Sequence, residues 1–259
     1  MKSLLFIGNS HLAAVKTAWD AAPPAGYAAA FFGAPQRAWQ KMALLPGNQF
    51  GLAQNGDYKR QRQITEQANG RATVGLDGAG IVIMVGAFSA SDPVASLLAT
   101  CDVPGLRETG APTLLSEPLF ARACASMATA CLPEQGWLDR SDLTLATLPR
   151  PAPADNCLSS SHAQYQSWHD LARAPDGLQD AFALFDAALT DAMAAKGVTY
   201  LPQPPDTRTA LGLTQAHFLA EGGGTIPGQE QRRGDHAHMN AAYGAACVAH
   251  ILTWLTSQT

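Results

Sequence analysis

Runs of apolar residues recur along the chain and predict five buried strands. The clearest run is residues 81–85, five large apolar residues, mostly β-branched, that are followed by Gly86. A strand that is apolar on both faces belongs in the centre of a parallel sheet. Four further runs predict the other strands, at residues 3–7, 27–32, 143–148 and 198–201.

Between the predicted strands, apolar residues recur at helical spacing. Asp92 is predicted to cap one helix, with Pro93 in its first turn. The other predicted helices start after His11 and cover residues 116–131, 178–196 and 239–256. This alternation predicts an α/β fold, a three-layer α/β/α sandwich of flavodoxin-like type with a mainly parallel five-stranded sheet. We expect one domain over residues 1–259.

Two regions interrupt the alternation. Within residues 36–78 the pattern is weak, and short β-like pieces at residues 49–52 and 72–76 predict an inserted hairpin over one edge of the site. The long connection at residues 208–231 contains three consecutive glycines at residues 222–224. This glycine run is interpreted either as a mobile surface loop, which is the commoner case, or as the hinge of a lid.

Composition narrows the class of protein. Of the 259 residues, 47% are hydrophobic and 15% charged, which excludes an intrinsically disordered chain. The net charge is −4 with no basic block, so nucleic-acid binding has no electrostatic support. No apolar run approaches the roughly 18 residues that span a bilayer, and the first apolar run is too short for a signal peptide. We therefore expect a cytoplasmic protein with no membrane partner.

The first strand leads into a turn, Gly8-Asn9-Ser10-His11, that precedes the first helix. This turn places the hydroxyl of Ser10 at the N-terminus of a helix, where free N–H groups and the helix dipole favour a developing negative charge. A serine nucleophile needs such a position, and it also needs a base.

The strongest base candidate lies near the other end of the chain, where Asp235 precedes His238 by three residues. A carboxylate at that spacing can bind the imidazole Nδ1–H and leave the other ring nitrogen free to take a proton from a serine. In the alternative interpretation Asp235 caps the final helix and the histidines are polar loop residues. His236 and His238 also form a His-x-His pair, but a metal site needs three or four converging ligands. No metal and no cofactor are therefore expected.

The first strand ending in Gly-Asn-Ser10, the α/β alternation and Asp235-x-x-His238 before the last helix together resemble the SGNH (GDSL-type) hydrolase superfamily. The resemblance implies that Ser10 is the nucleophile, His238 the base and Asp235 its orienting acid. It also implies an oxyanion hole that contains the N–H groups of Ser10 and Gly33.

The chain departs from the family pattern at two positions. Asn9 stands where the family usually has Asp, and Phe88 stands where an asparagine side chain completes the oxyanion hole. Ser89, Asn48 and Asn55 are the candidates to replace that donor. The predicted substrate pocket consists of Asn9, His11, Gly86, Phe88 and Ser89.

The function that the resemblance implies is hydrolysis of a small acyl ester, with an acyl ester or an acylated carbohydrate as the small-molecule partner. One alternative is an O-acyltransferase that uses the same residues with a sugar hydroxyl in place of water. Trp39, Trp137 and Trp168 could stack against a sugar, although buried packing is the commoner role of tryptophan. A second alternative is a binding protein that has kept the fold without turnover, which the presence of Phe88 favours.

Overall fold

A computed structural model describes residues 1–54, 57–221 and 235–258. The strands are β1 (Lys2–Gly8), β2 (Tyr27–Gly33), β3 (Ala43–Leu45), β4 (Gln49–Gly51), β5 (Thr73–Gly75), β6 (Ile81–Ser89), β7 (Cys101–Asp102), β8 (Thr113–Leu114), β9 (Thr144–Arg150) and β10 (Val198–Tyr200). The α-helices are α1 (Leu12–Ala21), α2 (Gln36–Trp39), α3 (Lys59–Asn69), α4 (Asp92–Leu98), α5 (Glu117–Ala130), α6 (Gln135–Leu138), α7 (Gln166–Arg173), α8 (Leu178–Ala194) and α9 (Ala241–Ser257). Asn55 and residues 222–224, for which the sequence suggested roles, lie outside the described residues.

The centre of the molecule is a five-stranded sheet in the order β10-β9-β6-β1-β2, and every neighbouring pair in it is parallel. These are the five strands that the apolar runs predict, so the prediction of an α/β fold with a parallel sheet is confirmed. β2 lies on one side of β1, and the later strands β6, β9 and β10 lie on the other side, so the strand order reverses between β1 and β6. In open parallel sheets a ligand crevice forms outside the carboxyl ends of the strands at such a switch point.

Side chains on successive residues of the central strands face opposite sides of the sheet. In β1, Leu4 and Phe6 pack with α1 and α9, whereas Leu5 and Ile7 pack with the helices of the other face. Each face buries its own hydrophobic cluster, so the sheet lies between two helical layers. This division explains why the central strands are apolar at every position.

In the central sheet, β6 extends further than the sequence indicates. A predicted end at Gly86 is wrong, because β6 continues to Ser89 through an irregularity in its pairing with β9 between Val85 and Ser89. Gly86 adopts a φ of +74° there, and a Cβ at this position would lie 2.5 Å from Asn9 Oδ1. The glycine is therefore needed for the irregularity and does not end the strand.

The region at residues 36–78 contains more structure than a hairpin. β3, β4 and β5 form a separate three-stranded antiparallel sheet, and α3 lies between β4 and β5. Thr65 is the buried residue of α3, so this helix lacks the apolar stripe by which helices are recognised in a sequence.

Three other elements differ from the sequence interpretation. α7 is not among the predicted helices, and it buries one side through Trp168 and Leu171. The short parallel pair β7 and β8 had no sequence signal. The N-cap of α4 is Ser91 and Asp92 is the first helical residue, whose N–H donates to Ser89 Oγ. A capping role for Asp92 is therefore wrong.

The first and last helices pack closely against each other on one face of the sheet. A Cβ at Gly244 of α9 would lie 1.9 Å from the carbonyl oxygen of Ala14 in α1, so only glycine permits this separation. Within the part of the chain that the structure describes, no helix has the length and apolar character needed to span a membrane.

Gly244→Ala is expected to destabilise the protein by about 1–3 kcal/mol, because α9 must move away from the backbone of α1. Urea denaturation of the variant and of the wild-type protein measures this difference. Gly80→Ala is the control, since a Cβ at Gly80 meets no atom within 4 Å. Equal losses in the two variants would contradict the close-packing explanation.

Candidate active site

Ser10, His238 and Asp235 form a continuous chain of hydrogen bonds. Ser10 Oγ lies 2.8 Å from His238 Nε2, and His238 Nδ1 lies 2.6 Å from Asp235 Oδ2. The structure thus brings together three residues from opposite ends of the chain. The order nucleophile, base and carboxylate is the one by which serine is activated in acyl-transfer enzymes.

Asp235 is held as a carboxylate by several donors. Its Oδ1 accepts the backbone N–H of Ala237 at 2.9 Å and that of His238 at 3.3 Å. Burial alone would raise the pKa of Asp235, but the hydrogen bond with the His238 side chain and the backbone N–H groups outweigh burial and lower the pKa to about 2. An ionised Asp235 keeps the proton of His238 on Nδ1, so Nε2 can accept the proton of Ser10.

The interpretation of Asp235 as the cap of the last helix is wrong. Asn240 occupies the N-cap of α9, and its Oδ1 accepts the N–H of Tyr243 at 3.1 Å. Asn240 Nδ2 also donates to the carbonyl of His217 at 2.8 Å, which ties the helix start to the preceding loop. The segment that carries His238 is therefore anchored independently of Asp235.

Ser10 lies just before α1, in the position that the sequence predicts. Leu12 N–H donates to the carbonyl of Asn9, and Ala13 N–H donates to that of Ser10, which forms the first turn. Among the described residues no hydrogen-bond acceptor is assigned to the N–H of Ser10. This N–H and the positive end of the helix dipole remain available to a negative charge that develops beside Ser10.

Asn9 joins three segments of the site and is almost fully buried. Its Nδ2 donates to the carbonyl of Gly86 at 2.5 Å and to Gln36 Oε1 at 2.7 Å, and its Oδ1 accepts the N–H of His11 at 3.1 Å. Both protons of the amide are engaged. Asn9 therefore fixes the turn that contains Ser10 against β6 and α2, and its amide has no hydrogen left to donate to a ligand.

His11 stacks on His238. The two imidazole rings have centroids 5.0 Å apart and planes inclined by only 9°. Burial, with the nearby charges of His238 and Arg150, lowers the pKa of His11 to about 3, so its ring stays neutral at physiological pH. His11 thus lies beside His238, and it is His238 that contacts Ser10 Oγ.

The N–H of Gly33 does not take part in an oxyanion hole in this conformation, so that assignment is corrected. Gly33 N–H donates to Asn69 Oδ1 at 2.9 Å, and Asn69 Nδ2 donates back to the carbonyl of Gly33 at 2.7 Å. The next residue, Ala34, directs its N–H to the carbonyl of Gly8 in β1. Because successive N–H groups of a strand point in opposite directions, the N–H of Gly33 points away from β1.

Phe88 and Ser89 at the end of β6, and Asn48 between β3 and β4, have partners within the protein. Phe88 lies against Tyr200, with ring centroids 6.2 Å apart, and Ser89 Oγ accepts the N–H of Asp92 at 3.2 Å. Asn48 hydrogen-bonds to Asp77 beside the small sheet. Asn48 thus directs its amide to Asp77, whereas Ser89 Oγ serves as an acceptor and its hydroxyl proton has no acceptor assigned among the described residues. Asn55, the third candidate, lies outside the described residues.

Three residues near the site were not identified from the sequence, namely Gln36, Asn69 and Arg150. Arg150 ends β9, forms an ion pair with Asp92 and is close enough to His11 to lower its pKa. The rule that ligand sites lie at the carboxyl ends of strands could have identified it. Asn69 is at the end of α3, a helix without a sequence pattern, so no signal pointed to it.

The first histidine of the His-x-His pair, His236, has a structural role. His236 Nδ1 lies 2.7 Å from Asn156 Oδ1, and the ring packs edge-on against Tyr165. Burial lowers the pKa of His236. The described residues contain no group of three or more His, Cys, Asp or Glu that could hold a metal ion.

One cleft contains Ser10, and another contains Gln36, the hydrogen-bond partner of Asn9. One, which we call the Ser10 cleft, has a volume of about 420 Å³ and is lined by Ser10, Leu12, Phe31, Ala34 and Asn69 among others. The second, which we call the Gln36 cleft, has a volume of about 370 Å³. Its defining residues are Gln36, Trp39, Phe88, Glu134, Trp137 and Thr147. Of the three predicted stacking tryptophans, Trp168 lies elsewhere and packs on Phe182 in the core.

Comparison with known proteins found one solved structure to report. The chain is similar to an extracellular lipase from Streptomyces rimosus, with 12% sequence identity, a TM-score of 0.37 and 100% of each chain covered. No protein-family model matches the chain, and the comparison with curated proteins found no match.

Asn9→Asp is expected to destabilise the protein at neutral pH by about 1–3 kcal/mol, because a carboxylate would face two acceptors, the Gly86 carbonyl and Gln36 Oε1. A protonated carboxyl can donate to one of them, so the deficit should shrink as the pH is lowered. Urea denaturation at pH 7 and at pH 4 measures both effects. A variant as stable as wild type at pH 7 would show that the amide of Asn9 does not hold the turn.

His11 is expected to make stability fall as the pH is lowered from about 6.5 towards about 3. In that interval the unfolded chain binds a proton at His11 and the folded chain does not, because the folded pKa lies below the ordinary value of 6.5. His11→Phe keeps an aromatic ring on His238 and removes the titration. Its stability should therefore decline less than that of wild type between pH 7.5 and pH 4, and parallel curves would contradict this.

Proposed function

We propose that the chain is a serine hydrolase that cleaves a small acyl ester, and that its fold is of the flavodoxin-like SGNH-hydrolase type. The observation that carries the proposal is the unbroken hydrogen-bonded chain from Ser10 through His238 to Asp235. It lies at the carboxyl ends of parallel strands, beside the switch point of the sheet.

In the proposed reaction Ser10 Oγ attacks the acyl carbonyl carbon while His238 Nε2 takes the hydroxyl proton. The tetrahedral intermediate collapses, the bond to the alcohol oxygen breaks, and that oxygen takes the proton back from His238. Water then attacks the acyl-serine ester with His238 again as base, and the carboxylic acid and free Ser10 are released. Asp235 stabilises the transient imidazolium and does not itself become protonated.

The N–H of Ser10 and the N-terminus of α1 are the proposed stabilisers of the oxyanion. The carbonyl oxygen of the substrate gains negative charge at the start of a ten-residue helix whose dipole is positive there. Losing one oxyanion donor typically raises the barrier by about 2.7–4 kcal/mol, so an enzyme that lacks the Gly33 N–H and the asparagine replaced by Phe88 is expected to be slow.

The Ser10 cleft is the proposed place for the acyl group. Leu12, Phe31 and Ala34 give the cleft an apolar part beside Ser10, which suits a hydrocarbon group, and Lys16, Gln67 and Asn69 add polar lining. The same residues would serve an O-acyltransferase, in which a sugar hydroxyl replaces water in the second half-reaction.

The cellular location that we propose is cytoplasmic, on the sequence argument alone.

A binding protein without turnover is the alternative from another class. The engaged N–H of Gly33 and the presence of Phe88 favour it, because both remove donors from the oxyanion. That alternative requires no activated serine, so a reagent for activated serines distinguishes it from the hydrolase.

Incubation with a fluorophosphonate is expected to add one phosphonyl group to Ser10, detectable by intact mass and peptide mapping. Ser10→Ala should abolish the adduct, and His238→Ala should slow its formation on the order of 10⁴-fold or more, because the serine loses its base. Ser160→Ala is the matched control on a serine outside the site and should label normally. Folded wild-type protein that forms no adduct would refute the hydrolase and the transferase.

A further inference from the structure

From its lining, we infer that the Gln36 cleft is a binding site for a small organic cation, a methylated ammonium that also bears a hydroxyl or a similar oxygen. The inference goes beyond the proposed function and does not rest on it, because the Gln36 cleft and the Ser10 cleft have no described lining residue in common. It rests on the arrangement of aromatic side chains, on the charge of the lining and on one buried hydroxyl.

Four aromatic side chains from separate elements line the cleft within the described chain. They are Trp39 of α2, Phe50 of β4, Phe88 of β6 and Trp137 of α6. The ring centroid of Phe50 lies 5.5 Å from that of Trp39 and 5.2 Å from that of Trp137, with planes inclined by 63° and 59°. The three rings therefore form a corner and not a flat stack. A cation in such a corner can lie within about 6 Å of more than one ring, where the negative face of each ring attracts it.

The charge of the lining also favours a cation. Glu134 is the charged side chain in the described lining, which includes no lysine, arginine or histidine. None of the ion pairs within the described part of the chain involves Glu134. Burial raises the pKa of the Cys131 thiol, also in the lining, to about 11, so this thiol is uncharged at physiological pH. An anion would therefore meet a carboxylate without a cation beside it, whereas a cation gains a partner.

The aromatic faces decide which kind of cation fits. A primary ammonium is strongly hydrated and has three N–H donors to satisfy, and ring faces offer it no conventional acceptor. Methyl groups remove these donors and place apolar, positively charged surface against the rings. A metal ion needs several ligands, and the described residues include no group of three or more His, Cys, Asp or Glu that could hold one. The cleft therefore favours a methylated ammonium.

The hydroxyl of Thr147 indicates that the ligand also carries an oxygen. Thr147 lines the cleft and is 1% exposed, and its Oγ1 has no partner among the described residues. Such a hydroxyl is unfavourable in the empty protein and gains a hydrogen bond when a polar ligand reaches it. Choline combines a quaternary ammonium with a hydroxyl, and the cleft volume of about 370 Å³ is within the usual range for a small-molecule site.

The experiment measures the binding of choline by calorimetry and compares it with neohexyl alcohol, in which a carbon atom replaces the nitrogen. The two molecules have the same shape, and only choline is charged. Choline is expected to bind at least about 10-fold more tightly, because the neutral analogue lacks both the attraction to the ring faces and the attraction to Glu134. We call this ratio of affinities the charge preference.

Variants of the lining test which groups produce the charge preference. Trp39→Leu is expected to lower it at least about 3-fold, and Trp39→Phe, which keeps a ring, should lower it less. Glu134→Gln should lower it about 2- to 5-fold, a small effect because Glu134 is exposed. Phe218→Leu is the matched control, since Phe218 is a half-buried aromatic residue outside the cleft, and its charge preference should equal that of wild type. A ratio of two ligands also cancels any general loosening of a variant.

The role of Thr147 is tested with tetramethylammonium, which has no oxygen. In Thr147→Val the affinity for choline should fall about 3- to 10-fold, the usual effect of one neutral hydrogen bond, while the affinity for tetramethylammonium stays the same. Equal affinity of Thr147→Val and wild type for choline would refute the assignment of an oxygen to the ligand.

The inference is overturned if choline does not bind at concentrations up to about 10 mM, which corresponds to a negligible affinity for a specific site. It is also overturned if neohexyl alcohol binds as tightly as choline, or if Trp39→Leu keeps the charge preference of wild type. None of these measurements uses an ester. Their outcome is therefore separate from that of the fluorophosphonate test of Ser10.

Discussion

The close contact between α1 and α9 is the constraint on which the site depends. Ser10 lies two residues before α1, and His238 lies three residues before α9, so the distance between Ser10 and His238 is set by how these two helices pack. Gly244 permits backbone contact with Ala14, which no larger residue allows. A separation of 228 residues along the chain is thereby reduced to a 2.8 Å hydrogen bond.

The turn at Asn9 supplies the second constraint. The amide of Asn9 connects the end of β1 to the β6 irregularity at Gly86 and to Gln36 at the start of α2. The backbone conformation of Ser10 is therefore fixed by partners from two later parts of the chain. An aspartate would fit this network poorly, since the groups that face Nδ2 are both acceptors. The asparagine is thus explained by the local hydrogen bonds.

Hydrogen-bond partners are distributed unevenly around Ser10. On one side, Asp235 is ionised and His238 bridges it to Ser10. On the other side, Asn69 accepts the N–H of Gly33 and Phe88 packs on Tyr200, whereas the Ser10 N–H and the N-terminus of α1 stay available to a negative charge. In the proposed reaction, proton transfer is therefore better provided for than stabilisation of the oxyanion.

The sequence by itself determined the five central strands, because an apolar run that is buried on both faces has no other common use. It also determined the turn before α1 and the Asp235–His238 pair, because both are local patterns in which a few adjacent residues set the geometry. The tertiary structure alone decided that Gly33 pairs with Asn69, since that contact joins residues 36 positions apart through a helix with no apolar stripe. It likewise decided that Asn9 orients Gln36 and that Thr147 lacks a partner. Hydrogen bonds of this kind depend on which distant segments pack together, and no pattern of neighbouring residues encodes them.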